Sequence, residues 1–192
     1  MNRAALHLLI AAALVCGTQT VLAAEESPLG KKIDNFAARD FRGKETALAD
    51  FAANKFVVVA FLGTECPLAK LYAVRLAKLH ERFAKQGVSF LAIDSNTQDA
   101  PTEIVSFAQR HQLPFPLLKD PGQTVADLFG ATRTPQIFVL DADRVVRYSG
   151  RIDDQYGIGY QRSEPEQEFA AQAIEQLVAR QTVTVPATAP IG

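Results

Sequence analysis

Phe56-Val57-Val58-Val59-Ala60-Phe61-Leu62-Gly63-Thr64-Glu65-Cys66-Pro67-Leu68-Ala69-Lys70 is the stretch whose reading decides the fold. Its opening run of β-branched and aromatic residues predicts a strand buried on both faces. Gly63 and Thr64 break the run. Pro67 suits the first position of a helix, where its missing N–H removes no hydrogen bond. Cys66 therefore falls at or beside the helix N-cap, where free backbone N–H groups and the helix dipole favour negative charge on sulfur. Whatever chemistry the chain performs is expected at this turn.

Working outward toward the C-terminus, apolar residues recur at Leu68, Tyr72, Leu76, Leu79 and Phe83, the single face of a helix over residues 67–86 that Gly87 closes. Residues 88–93 read as a second buried strand and 94–100 as a polar, solvated loop. A helix is expected over 101–112, a short strand over 115–118, and a short helix over 124–129 ended by Gly130. Residues 136–140 and 144–148 read as strands joined by Asp141-Ala142-Asp143, a connection short enough to require an antiparallel hairpin. A last helix is expected over 164–180. Toward the N-terminus, Asp40 to Lys44 suggests a small hairpin, and residues 49–53 a helical turn. The order βαβα, then hairpin, then helix, predicts an α/β fold with a central mixed β-sheet flanked by helices on both faces.

The 192 residues are 48% hydrophobic and 21% charged with a net charge of −1, which fits one globular domain able to bury its own core. No basic surface advertises nucleic acid or an anionic membrane. Met-Asn-Arg, an apolar run over residues 4–15 interrupted by His7, and the exit Val21-Leu22-Ala23 read as a secretory signal peptide cut near Ala23 or Ala24. The run is shorter than the ~20 residues of a membrane span. Cys16 as a lipidation site is a lesser alternative, because Val15 precedes it where a small residue is wanted. The expected division is thus a signal peptide at 1–23, one domain at 24–180, and a flexible tail at 181–192 marked by Pro186 and Pro190. A periplasmic or secreted protein would result, with no transmembrane span in the mature chain. Export would leave Cys66 as the only cysteine, in a compartment that favours disulfides, so it is either a reactive thiol or a buried one.

A second feature coincides with that cysteine: Arg133-Thr134-Pro135 stands directly before the strand at Gln136. Other chemistry is poorly served. His80 and His111 lie late in helices, where they are expected to face water, and are too scattered for a metal site. Asp94-Ser95-Asn96 with Asp99 lacks the glycine and closing glutamate of a calcium loop. Asp153-Asp154 reads better as a capped turn than as an acidic contact. No glycine-rich phosphate loop and no serine–histidine set appears, so neither cofactor nor metal is expected.

With Phe-Leu-Gly-Thr-Glu-Cys-Pro at 61–67, Arg-Thr-Pro at 133–135 and Gly-Arg-Ile-Asp-Asp-Gln-Tyr at 150–156, the chain resembles the thioredoxin-like superfamily. Within it, the redoxin branch of alkyl hydroperoxide reductase and thiol-specific antioxidant proteins is the most similar, over roughly residues 28–180. The resemblance implies a thioredoxin-like fold, a cis Pro135 facing the cysteine turn, and antioxidant or peroxidase-like thiol chemistry at Cys66. Thr64 would donate a hydrogen bond to the thiolate and Arg133 would be a second positive group. Glu65 would oppose the thiolate if it pointed inward.

The departures define what kind of redoxin this is. Ala69 stands where a Cys-x-x-Cys site has its second cysteine, so a mixed disulfide on Cys66 has no internal thiol to release it. Val59 and Gly63 occupy the places of the proline and threonine of a Pro-x-x-x-Thr-x-x-Cys peroxidase site. A one-cysteine oxidoreductase is expected, turned over by an external thiol such as a thioredoxin-like protein or glutathione. The alternative is a non-catalytic binding or accessory module, with the loop over 153–162 as its recognition surface.

Overall fold

The computed structural model describes residues 27–192, so the expected signal peptide and Cys16 lie outside the described residues. Strands β1 (Ala37–Arg39) and β2 (Glu45–Ala47) form the small hairpin, closed by Asp40, whose Oδ1 accepts the N–H groups of Arg42 and Lys44 at 2.9 Å each. A 3-10 turn at Leu48–Phe51 leads into β3 (Phe56–Phe61). There follow α1 (Pro67–Phe83), β4 (Val88–Asp94), α2 (Pro101–Arg110), β5 (Leu117–Lys119), α3 (Thr124–Phe129), β6 (Gln136–Leu140) and β7 (Val146–Gly150). A two-residue-per-strand hairpin, β8 (Tyr156–Gly157) and β9 (Tyr160–Gln161), precedes α4 (Phe169–Val178).

The main sheet has the order β5-β4-β3-β6-β7, with β3, β4 and β5 parallel and β6 and β7 antiparallel to their neighbours. β3 is central because its side chains are apolar on both faces. Val58 and Ala60 join a core with Leu76 of α1, Phe107 of α2 and Ile174 of α4. Val57, Val59 and Phe61 point the other way, onto α3, the 3-10 turn and the N-terminal arm. There Phe61, Phe129 and Phe138 meet edge to face, with centroids 5.0–5.6 Å apart. Burial of each such ring is worth about 1.5–3 kcal/mol. This is the mixed sheet covered on both faces that the sequence predicts.

Three segments and the side chains of His80 and His111 differ from expectation. The last helix starts at Phe169 rather than 164, because Asp154 Oδ1 accepts the N–H groups of Glu166 and Gln167 at 2.9 Å each, holding them in a turn. β7 starts at Val146, because Arg144 adopts φ +64° and Asp141 Oδ1 binds the N–H groups of Asp143 and Val145. Residues 181–192 are not a loose tail over their length. Ser149 N–H donates to Pro186 O, Thr188 N–H donates to Ser149 O (3.0 Å each), and the Thr188 hydroxyl meets Arg151 N–H and the Tyr148 hydroxyl. The open edge of β7 supplies the groups that hold this segment. Neither histidine simply faces water. His80 packs against Phe90 and Phe115, and burial lowers its pKa. His111 packs on Phe107, and burial, then Arg110 and Lys70, lower its pKa.

Candidate active site

β3 delivers the chain to the site. Leu62 N–H still pairs with Ile93 O at 2.9 Å, after which Gly63, Thr64 and Glu65 turn the backbone toward α1. Cys66 is the helix N-cap, with extended dihedrals (φ −69°, ψ 118°) and Pro67 in the first turn after it. Its sulfur accepts the Ala69 N–H at 3.4 Å, one of the donors a helix start leaves free. On the other side the thiol donates to Thr134 O at 3.0 Å. The Thr134–Pro135 peptide is cis. The antiparallel register of β3 and β6, which pairs Phe61 with Gln136, brings this peptide to the cysteine turn. The sulfur thus lies between a helix start and the loop entering β6, in a half-buried residue.

Cys66 is thus brought against the Thr134 carbonyl of the cis Thr134–Pro135 peptide, while Thr64 and Arg133 take different partners. Thr64 is buried, and its N–H donates to Asp99 Oδ2 at 2.7 Å. Its hydroxyl has no hydrogen-bond partner and makes no bond to the sulfur, whose donor is the Ala69 N–H instead. Arg133 is exposed, and its guanidinium donates to the Gly192 main-chain oxygen at 3.0 Å, not to Cys66. Gly192 packs so closely on Thr134 that any Cβ there would strike the Thr134 carbonyl. Glu65 points outward and pairs with Lys70 at 3.7 Å across the surface, so it does not oppose charge on the sulfur from within. A cleft of about 290 Å³ opens beside Thr134, with Ser95, Asn96 and Arg133 in its wall.

What the sequence did not disclose is the layer beneath. The supposedly solvated strand-end loop carries two buried carboxyls, Asp94 and Asp99. Burial, then the neighbouring Asp99 carboxyl, pushes the Asp94 pKa up to about 7. Burial also works to raise Asp99. The neighbouring Asp94 carboxyl, the Thr64 N–H and the Asn96 amide outweigh that and hold it below the ordinary carboxylate value. Gly63 is required by the same layer, because a Cβ at that position would collide with the Asn96 amide. A continuous buried strand ending directly in Asp94 was the available signal, since the next side chain of such a strand stays near the core. Among the described residues no group of three or more His, Cys, Asp or Glu side chains is placed to hold a metal ion. No described helix is long and apolar enough to cross a membrane.

A model of the AhpC/TSA family matches residues 29–149, which takes in the cysteine turn, the cis-proline loop and all five strands of the main sheet except the last residue of β7. The chain belongs to the AhpC/TSA family. Chloroplastic peroxiredoxin Q of Oryza sativa subsp. japonica is 32% identical over 126 residues, covering 62% of this chain and 57% of that protein. Thiol-disulfide oxidoreductase ResA of Halalkalibacterium halodurans is 28% identical over 112 residues, covering 58% of this chain and 62% of that protein. The chain thus spans less than two thirds of the length of either relative. A hypothetical protein of Sinorhizobium meliloti 1021 superposes at a TM-score of 0.78 with 29% identity, covering 85% of this chain and 91% of that one. The thioredoxin-like fold expected from the redoxin resemblance is the one observed.

Proposed function

We propose that this AhpC/TSA-family chain is an exported thiol-dependent oxidoreductase that works with Cys66 alone. The observation that carries the proposal is the sulfur at the start of α1, which accepts the Ala69 N–H at 3.4 Å and lies beside the cis Thr134–Pro135 peptide. A helix N-terminus hydrogen-bonds charge on sulfur, which is what a nucleophilic thiol needs. The names of the relatives, a peroxiredoxin and a thiol-disulfide oxidoreductase, support the same class.

The reaction balances with two external thiols. The Cys66 thiolate attacks one peroxide oxygen, the O–O bond breaks, and the leaving oxygen takes a proton as water or an alcohol, leaving a sulfenic acid. A first external thiol attacks that sulfur and water departs, giving a mixed disulfide. A second external thiolate attacks the external sulfur and releases Cys66 with its electrons, the two external thiols leaving as a disulfide. Ala69 at the resolving position makes the external route necessary. A small thiol such as glutathione, or a thioredoxin-like protein, would supply these two thiols. Signal-like residues 1–23 support export to an oxidising compartment.

A second reading rests on the β8–β9 hairpin, whose tip residue Ile158 is 94% exposed beside a half-exposed Tyr160. An accessory module would hold a partner there and leave the thiol unused. Intact-mass measurement after dilute hydrogen peroxide, with and without glutathione, separates the two. An oxygen or glutathione adduct that disappears in Cys66→Ser is expected. A chain that stays unmodified under both conditions would contradict the enzyme proposal and favour the accessory one.

A further inference from the structure

Beneath the cysteine turn lie three polar atoms with no partner: Thr64 Oγ1, Asp94 Oδ2 and Asp99 Oδ1. All three residues are more than nine-tenths buried, with relative exposures of 4%, 0% and 2%. Their remaining bonds are well made. Asp99 Oδ2 accepts the Thr64 N–H at 2.7 Å and the Asn96 amide at 3.1 Å. Asp94 Oδ1 accepts Lys119 Nζ at 3.0 Å and the Asn96 N–H at 3.2 Å. Each carboxyl therefore uses one oxygen fully and leaves the other bare. Asn96 ties the two carboxyls together, its main-chain N–H on Asp94 and its side-chain amide on Asp99, so each bears on the other's ionisation.

Two ionised carboxylates are acceptors only, and in contact they repel. An orphaned buried oxygen is also costly to keep. A single proton satisfies both bare oxygens at once, and the Thr64 hydroxyl beside Asp99 then completes the cluster as a donor. We propose that Asp94 and Asp99 share one proton near neutral pH, and that the pair, acting through the Asp99–Thr64 bond, positions the turn that presents Cys66. Both are positioning residues, since neither touches the sulfur. Once the proton is gone, two negative charges face one another under the turn. Repulsion loosens the grip on the Thr64 N–H, and the added charge disfavours thiolate two residues further on.

Other charged groups around the pair do not supply this behaviour. Lys119 from β5 contacts Asp94 directly and offsets part of the second charge. Asp120, just after β5, binds the Ser95 hydroxyl. Glu103 and Arg110 of α2, with Glu65 and Lys70 from the turn and α1, line an outer groove next to Thr64 and are open to solvent screening.

The inference rests on Cys66 being a reactive thiol, but its test has one arm that does not. NMR of isotope-labelled aspartate carboxyls, in the full chain between about pH 3 and pH 9, reads the pair directly. Two coupled carboxyl signals should titrate together near neutrality, with the Asp94 signal absent and the step lost in Asp94→Asn. Two signals that titrate separately in the ordinary carboxylate range would overturn the shared proton whatever Cys66 does. The second arm is the pH profile of Cys66 alkylation. The wild type should show a second inflection near neutrality that Asp94→Asn removes. Asp99→Ala should slow the reaction about tenfold across the range, with Asp99→Asn, which keeps an acceptor for Thr64, recovering part of it. A wild-type profile with one inflection, matched by all three variants, would overturn the positioning role.

Discussion

Two pairs of buried aspartates sit at different places in this molecule and are treated in opposite ways. Asp153 and Asp154, in the run after β7, have every oxygen engaged. Asp153 accepts the Tyr72 hydroxyl at 2.6 Å, the Gln155 N–H at 2.9 Å and the Arg75 guanidinium. Asp154 holds the Glu166 and Gln167 N–H groups and pairs with Arg162 at 3.4 Å. Asp94 and Asp99 each leave one buried oxygen bare, directly under the cysteine turn. A saturated pair fastens elements: α1 to the segment after the sheet, and that segment to the approach of α4. An unsaturated pair is held in a state that a proton can change, which is a property of sites rather than of scaffolding.

Variants can break this contrast, and the largest effect is expected at the fastening pair. Asp153→Ala strands the Tyr72 hydroxyl and the Arg75 charge, and denaturant unfolding should show a loss of about 3 kcal/mol. Alkylation of the folded fraction should change little, because that pair does not reach the cysteine turn. A smaller change of opposite sign is expected at the other pair. Asp94 has a folded pKa raised to about 7 from an ordinary 3.8. It therefore supports the fold fully below about pH 4 and loses that support as pH rises through neutrality. Asp94→Asn, an uncharged mimic of the protonated state, should be more stable than the wild type above neutral pH by about 1–2 kcal/mol, with the advantage vanishing in mild acid.

Gly63→Ala sharpens the contrast from the turn's side. Its methyl group must displace the Asn96 amide, and with it one of the donors to Asp99. A loss of about 1 kcal/mol in unfolding experiments is expected, with slower Cys66 alkylation. The smallest effect is at His80. Burial holds its folded pKa below the ordinary value, so its contribution to stability is present above about pH 6.5 and falls away as acid charges the ring. His80→Phe should flatten the acid limb of the stability profile by less than about 1 kcal/mol.

These contrasts also mark where the sequence speaks plainly. The strand at 56–61, the cysteine and proline that open α1 and the glycine that closes α3 are local signals, and the structure has each of them, while Gly87 closes not α1, which ends at Phe83, but the short 3-10 turn Ala84–Gln86 after it. The pairing of Cys66 with Pro135 was legible because a family resemblance linked two motifs about 70 residues apart. Burial of Asp94 was hinted at only by its place at the end of a buried strand, and that of Asp99 was not legible. It depends on the loop after β4 folding beneath the turn after β3, a contact between side chain and backbone that leaves no periodicity. The same holds for Asp153, whose partners on α1 lie some 80 residues away. Thr64 and Arg133 were placed by nearness in sequence to Cys66 and Pro135, and their partners, Asp99 and Gly192, come from elsewhere in the chain. Prolines at 186 and 190 suggested looseness, but a proline still offers its carbonyl to an open strand edge, as Pro186 does to Ser149.

The most direct measurement is the second-order rate constant for alkylation of Cys66 at neutral pH, set against free cysteine in the same buffer. A sulfur presented by a helix start should react at least several-fold faster. Equality with free cysteine, or a slower rate, would contradict the account of this turn as a redox site.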